Sequence, residues 1–260
     1  MKAGRILEME RYVLSRGSAA MDELAAHFDV SENTVRRDVA ELIRRGAVQK
    51  VYGGVCAKQL NRSLTPYEER FASNEAAKSA IGKAAASLVH DGDIIFIDSG
   101  TTTLQMIEYL QGKKNVTIIT HNLGVITRAV PYEGLHVMVL PGTLLRETNS
   151  FTGSETVRAL QKYNVKTAFM ASTGVSSRGV TNSSGKEYDI KQTAMEVSSQ
   201  RVLLIDKRKF GIAGLMTFAS LNEFDTVITD DLPEREYSEL IKGAGAELLT
   251  AGKEVKNAAQ

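Results

Sequence analysis

Only Asp29 and Val30 separate two amphipathic helical patterns near the start of this chain. A connection that short forces two helices to cross at a steep angle. The second pattern runs from Ser31 to Gly46 and places Val35, Val39, Leu42 and Ile43 on one apolar stripe, with Asn33, Arg36, Arg37 and Arg44 on the opposite side. Ser31 stands where an N-cap belongs and Gly46 where a helix stops. Met21, Leu24, Ala25 and Phe28 mark the first member of the pair, and Ile6, Met9, Val13 and Leu14 mark a helix before both that ends near Gly17. Such a pair lays its second helix in a DNA major groove. From Ala47 to Val55 the residues alternate and break at Gly53-Gly54, the pattern of a small hairpin or wing.

Charge supports this reading only when counted locally. The whole chain carries 32 Lys and Arg against 31 Asp and Glu, a balance that does not by itself point to nucleic acid. Between Asn33 and Lys58, however, Arg36, Arg37, Arg44, Arg45, Lys50 and Lys58 face only Asp38 and Glu41, an excess of four positive charges. A local cluster of that kind is what phosphate contact requires.

At 260 residues and 43% hydrophobic content the chain is long enough for this head and one larger domain with its own core. No run approaches the roughly 20 apolar residues of a membrane span, and no signal-peptide core stands at the start, so a cytoplasmic protein with no membrane partner is expected. Cys56 is the only cysteine, which excludes an intrachain disulfide and a cysteine-based zinc site. His27, His90, His121 and His136 lack metal-ligand spacing and read as structural or surface histidines. Neither metal nor cofactor is expected.

The expected organisation is a winged helix-turn-helix over 1–57, a linker over 58–73 punctuated by Pro66, a larger domain over 74–252 and a polar tail over 253–260. A helix is predicted from about Asn74 to His90, with Ala77, Ile81, Ala84, Ala85 and Leu88 on its buried side. Unbroken apolar runs over 93–98, 116–120, 137–140, 167–171, 202–206 and 226–229 suit parallel strands buried on both faces. Helical segments over 103–110, 154–163, 187–199 and 233–242 separate several of them, so the class is α/β.

Ligands of open α/β sheets bind beyond the carboxyl ends of the strands. There Asp98-Ser99-Gly100-Thr101-Thr102-Thr103 leaves a strand, turns at a glycine and enters a helix whose free amides and dipole favour an anion. Other strand ends offer His121 and Asn122, Pro141 and Gly142, Ser172, Thr173 and Gly174, and the Asp206 to Gly211 turn with Lys209. Arg146, Glu187 and Lys191 are candidates to complete a polyol-reading site. An enzyme would need a matched acid and base; Asp98 and Glu187 read as isolated carboxylates, so no catalytic activity is expected. A dinucleotide site is disfavoured because no Gly-x-Gly-x-x-Gly follows Asp98.

Ser31 to Gly46 followed by Tyr52-Gly53-Gly54, the Asp98 to Thr102 loop and the Asp206 to Gly211 turn together resemble the DeoR family of bacterial transcriptional regulators, which includes the glycerol-3-phosphate repressor. The resemblance covers nearly the whole chain. It implies a winged helix-turn-helix repressor of carbohydrate genes, working as a homodimer or homotetramer on operator DNA. It also implies an effector domain similar to ribose-5-phosphate isomerase and CoA-transferase folds that senses a phosphorylated sugar or polyol. On these positions Ser31, Asn33, Thr34, Arg36, Arg37, Arg44, Lys50, Tyr52, Gly53 and Gly54 would meet DNA. Asp98, Ser99, Gly100, Thr101, Thr102, Thr103, Asn122, Gly142, Arg146, Gly174, Glu187, Lys191, Asp206 and Lys209 would surround the effector. The chain departs from the family pattern at Ala20, where a Ser or Thr cap is common, at Thr143 and at Arg208.

Overall fold

The apolar stripes of the first 57 residues close on one another as a small independent core. The computed structural model describes residues 2–16, 18–45, 48–51, 53–57, 65–176 and 178–251. Within the head these form α1 (Lys2–Arg16), β1 (Ser18–Ala20), α2 (Met21–His27), α3 (Glu32–Arg44), β2 (Val48–Val51) and β3 (Gly54–Ala57). Ile6, Met9, Val13, Leu24, Val35, Val39 and Leu42 are buried together with Val48 and Val55, while Met21, Ala25 and Phe28 pack at the margin. Ile43 departs from its expected place on the buried stripe: it is 37% exposed, because its position has rotated past the stripe's edge.

Local chemistry sets the turns. Asp29 takes the left-handed conformation (φ +49°), which its short polar side chain tolerates, and the Val30 amide closes the turn on the Ala25 carbonyl at 3.1 Å. Ser31 caps α3 by accepting from the Thr34 amide at 3.4 Å. At α2 the hydroxyl cap is missing, and the helix's own acids stand in. Glu23 accepts the Ala20 amide at 3.2 Å and Asp22 accepts the Glu23 amide at 2.9 Å. The sequence did not announce β1, a three-residue strand that pairs antiparallel with β3 beside β2. That pairing brings the Ala19 carbonyl onto Gly54 so closely that no Cβ would fit. Gly17, Gly46, Tyr52, residues 58–64 of the expected linker and the expected tail lie outside the described residues.

The larger domain begins with α4 (Tyr67–Ala72), inside the expected linker, and α5 (Glu75–Ser87), which ends three residues short of His90. Then follow β4 (Ile94–Ile97), α6 (Met106–Tyr109), β5 (Val116–Thr120), α7 (Leu123–Ala129), β6 (Leu135–Val139) and the hairpin of β7 (Thr143–Leu145) and β8 (Ser150–Thr152). After α8 (Ser154–Leu160) come β9 (Val165–Ala171), β10 (Gly174–Ser176), β11 (Gly179–Asn182), α9 (Tyr188–Glu196) and β12 (Ser198–Leu204). The chain closes with β13 (Met216–Ala219), β14 (Thr226–Thr229), α10 (Arg235–Gly243) and β15 (Glu247–Thr250).

Seven strands make one parallel sheet in the order β15-β14-β12-β9-β4-β5-β6, and β10, β11 and β13 make a small antiparallel sheet. Alternate strand residues serve opposite cores. Phe96, Ile119, Met170 and Leu203 face Leu160, Ile190 and Ile241 of α8, α9 and α10. Ile95, Ile118, Phe169 and Leu204 face Ile81, Met106 and Val125 of α5, α6 and α7. Burial on both faces explains why the strands read as unbroken apolar runs. From β4 the chain moves outward through β5 and β6, then returns to β9 and builds the other half, so the order reverses between β4 and β9. The crevice at such a reversal is where ligands bind. Among the described residues no helix is long and apolar enough to cross a membrane.

The head rests on α10. Arg44 reaches Glu234 at 3.1 Å, and Arg45 pairs with Glu41 (3.1 Å), Glu234 (3.2 Å) and Glu236. Beside them Glu10 of α1 is fully buried, and neither carboxylate oxygen has a hydrogen-bond partner among the described residues. Burial, with Glu236 and Glu234 nearby, pushes its pKa from 4.5 to about 7 against the pull of Arg45 and Arg11. The folded chain therefore holds this proton more tightly than the unfolded one. The associated stability is complete below pH 4.5 and is lost as pH rises through about 7. The loss is at most about 3 kcal/mol. A Glu10→Gln variant is expected to flatten the fall in melting temperature between pH 5 and pH 8; a variant whose melting temperature falls as steeply as the wild type's removes Glu10 as the cause.

Candidate functional site

At the reversal between β4 and β9 lies a cavity of about 460 Å³. Ser99, Gly100, Thr101 and Thr102 form one wall, and Ala171 at the end of β9 with Ser172 and Thr173 beyond it form the next. Glu187 and Lys191 at the start of α9, and Asp206, Arg208 and Lys209 beyond β12, extend the lining. The loop stays close to the sheet because residue 100 is glycine: a Cβ there would run into the Ala171 methyl. The first amides of the turn to find carbonyls are those of Leu104, bonded to Gly100, and Gln105, bonded to Thr102, each at 3.1 Å. Amides ahead of Leu104 are the ones a helical start leaves for an outside acceptor.

Asp98 is the foundation of this loop and lines no part of the cavity. It is fully buried; its carboxylate accepts the Ala171 amide at 2.9 Å and the Lys191 ammonium, and lies 3.4 Å from His121 Nε2. Burial alone would raise its pKa, and the Lys191 charge with the His121 contact outweighs burial and holds the carboxyl below the usual carboxylate range. Thr103 and Asn122 are also structural: both donate to the Asp98 carbonyl, at 2.8 and 3.1 Å, and the Asn122 side chain also caps α7.

Three other expected residues stand apart from the cavity. Gly142 packs against Thr152 and Thr156, Gly174 lies beneath the Ile212 carbonyl, and Arg146 is exposed beyond β7. In their place the structure brings in a wall that sequence reasoning missed: Thr65, Glu69, Arg70 and Ser73 from the expected linker, Lys78 of α5, and Thr148, Asn182, Ser183 and Ile212. A signal for Lys78 was present, because it falls three and seven residues before Ile81 and Ala85 on the apolar stripe of α5. A lysine on a buried stripe calls for a partner.

The cavity lining carries five cations and three carboxylates. Arg70 donates to the carbonyls of Thr65 and Glu147, both at 3.0 Å, and Lys78 donates to those of Arg70 and Phe71. Carbonyls satisfy these hydrogen bonds without cancelling the charge. Burial lowers the pKa of Lys78 to about 8, with Lys209 adding repulsion, and burial lowers Lys209 in the same direction. Lys209 has weak partners, the Ser172 carbonyl at 3.3 Å and Asp206 at 3.9 Å. An anion entering the cavity would relieve all three cations. Among the described residues no three His, Cys, Asp or Glu side chains stand together to hold a metal.

On the head, Asn33, Arg36 and Arg37 are exposed on the N-terminal half of α3, the part of a recognition helix that meets base edges. Thr34 is half-buried and shares a 3.0 Å hydroxyl contact with Ser31. Lys50 and Gly53 are exposed on the wing, whereas Gly54 is buried against β1. Arg44, at the other end of α3, is committed to Glu41 and Glu234.

A winged helix-turn-helix head joined to an α/β domain defines a DNA-binding regulator. Residues 5–59 match the family described as DeoR-like helix-turn-helix domain, and residues 73–231 match the DeoR C terminal sensor domain. The chain is 39% identical over 240 residues to the HTH-type transcriptional regulator IolR of Bacillus subtilis, covering 92% of this chain and 95% of that protein. It is 31% identical over 244 residues to the lactose phosphotransferase system repressor of Staphylococcus aureus, covering 93% and 96%. Ribose 5-phosphate isomerase A from Methanocaldococcus jannaschii is a distant structural likeness, with a TM-score of 0.39 at 21% identity over 53% of this chain and 55% of that one. The chain belongs to the DeoR family of DNA-binding transcriptional regulators.

Two expectations need correction. The matches support the family and no glycerol-3-phosphate-repressor-like identity within it. The expectation of no catalysis rested on isolated carboxylates, and that ground is gone. Asp98 contacts both Lys191 and His121 behind the cavity wall, and Glu187 lines the cavity with Lys191 and accepts from Ser150 at 2.8 Å.

Proposed function

We propose that this chain represses a carbohydrate- or polyol-utilisation operon and that a phosphorylated sugar or polyol, bound in the cavity, sets its affinity for the operator. The observation that carries the reading is the pair Arg70 and Lys78, cations whose hydrogen bonds go to carbonyls, lining the cavity beside the Ser99 to Thr102 loop, whose Thr101 hydroxyl meets the same Arg70 carbonyl as Lys78. Phosphate would take the loop amides and the Thr101 and Thr102 hydroxyls, with Lys78, Lys209 and Arg70 supplying counter-charge. Glu187 and Lys191 would then read hydroxyls at the other end. The matched sensor domain supports a sensing role, and a relative named as a lactose phosphotransferase system repressor supports repression of carbohydrate genes. A single winged module buries too little surface for strong specificity, so a symmetric dimer or tetramer on repeated half-sites belongs to the reading.

The test is a thermal-shift panel of sugar phosphates and polyol phosphates beside their unphosphorylated forms. Concentration-dependent shifts confined to phosphorylated compounds are expected; shifts with free sugars alone would sink the phosphate assignment. Thr101→Val should leave operator binding intact and raise the ligand concentration needed for half-response about tenfold, as loss of one hydrogen bond to a charged group implies. An unchanged response places the phosphate elsewhere.

A further inference from the structure

The segment that ends the cavity wall also ends beneath the head. Asp206 caps its own turn by accepting the Arg208 amide at 3.2 Å, and Lys209 reaches the cavity. The next two residues leave it. The Phe210 ring packs 5.4 Å from the ring of Tyr237 on α10. Gly211, held in the left-handed region (φ +81°) and bonded through its amide to the Val175 carbonyl at 2.8 Å, lies beside Arg45 at the C-terminal end of α3. A Cβ at that position would stand 3.2 Å from the Tyr237 hydroxyl and 3.5 Å from the Arg45 carbonyl. Tyr237 is buried, and its hydroxyl has no hydrogen-bond partner among the described residues. Arg45 holds the last turn of α3 to α10 through Glu234 and Glu236.

We propose that the Asp206–Gly211 segment carries the state of the cavity to the DNA-binding head, with Arg45 and Tyr237 as its receiving residues. The inference rests on the anion reading of the cavity given above. Lys209 is the input, because its contacts to Ser172 and Asp206 are long and an anion would win it from both. Drawing Lys209 inward moves a segment only six residues long, whose far end packs the Phe210 ring on Tyr237 and lies beside the Arg45 carbonyl. A close-packed contact answers by switching arrangement. At this one the alternatives are an Arg45 engaged with α10 and an Arg45 released from it. Head docking and ligand affinity are then coupled in both directions.

Hydrogen exchange on the full chain tests this, with inorganic phosphate as the probe. In the wild type, phosphate should slow exchange over 99–105 and also change it at least threefold over 42–45 and 237–241. In Glu236→Gln, which keeps the side chain's size and removes its charge, protection over 99–105 should persist while the response over 42–45 disappears. Arg45→Gln gives the same reading should Glu236→Gln fold poorly. Protection over 99–105 with no change over 42–45 and 237–241 in the wild type overturns the relay and leaves the cavity reading standing, as does a full response in both variants. Absence of protection over 99–105 at any phosphate concentration removes the cavity reading and this inference with it.

Discussion

Asp98→Ala is expected to lower the unfolding free energy by about 3–5 kcal/mol, the scale for breaking a buried ion pair from one side. The substitution strands the Lys191 ammonium, whose side chain is 3% exposed, with the Ala171 carbonyl at 3.0 Å and the face of the Phe218 ring at 5.2 Å as its remaining contacts among the described residues. It also leaves the Ala171 amide without its acceptor. The bonds from Thr103 and Asn122 go to the Asp98 main chain and survive, so the loop should lose its anchor without losing its shape. Adding Lys191→Met removes the stranded charge and should recover part of the loss, the mark of a coupled pair. Acid adds a sign. The folded carboxyl lies below its ordinary value of 3.8, so the stability it contributes is present above pH 3.8 and is lost only as pH falls through the depressed value. Denaturant unfolding of the two variants at pH 7 measures the pair. An Asp98→Ala variant within about 1 kcal/mol of wild type would show that water or rearrangement already compensates Lys191.

The same residue shows how far the sequence alone reaches. Asp98 was legible as the start of a polar loop at the carboxyl end of a strand, since an acid, a serine, a glycine and three threonines follow one another directly after an apolar run. Its job was not legible: whether a carboxylate meets solvent or a lysine 93 residues later is decided by the pairing of β4 with β9 and the seating of α9. The strands buried on both faces were readable because their apolar runs are unbroken, whereas β15 and the strands of the small antiparallel sheet have only three or four residues each and carry no such run. Arg70 sits in a stretch whose lost periodicity reads as linker, and its role appears only once that stretch folds over the cavity. Arg44 and Arg37 look alike in sequence, both basic and both opposite the apolar stripe. The acids of α10, some 190 residues away, separate them.

That separation sets the second large effect. The double variant Arg36→Ala, Arg37→Ala should weaken binding to a duplex taken from upstream of the protein's own gene by about thirtyfold to ten-thousandfold, at about 1–3 kcal/mol for each contacting arginine. Its salt dependence should fall by up to about two in the slope of log K against log salt, since each lost phosphate contact removes about 0.9. Stability should hardly change. Both side chains are exposed, and the one ion pair lost among the described residues, Arg36 to Glu32 at 3.3 Å, is a surface i,i+4 pair worth a few tenths of a kcal/mol. Arg44→Ala supplies the contrast: bonded to Glu41 and Glu234, it should leave the salt slope near the wild-type value and loosen the head against α10. Anisotropy titrations across a salt series distinguish the two ends of α3. An unchanged slope in the Arg36, Arg37 double variant would take the N-terminal half of this helix off the DNA. A slope reduced by Arg44→Ala instead would mean that α10 releases that arginine on binding, so that the acids of the effector domain and the phosphates of the operator compete for one side chain.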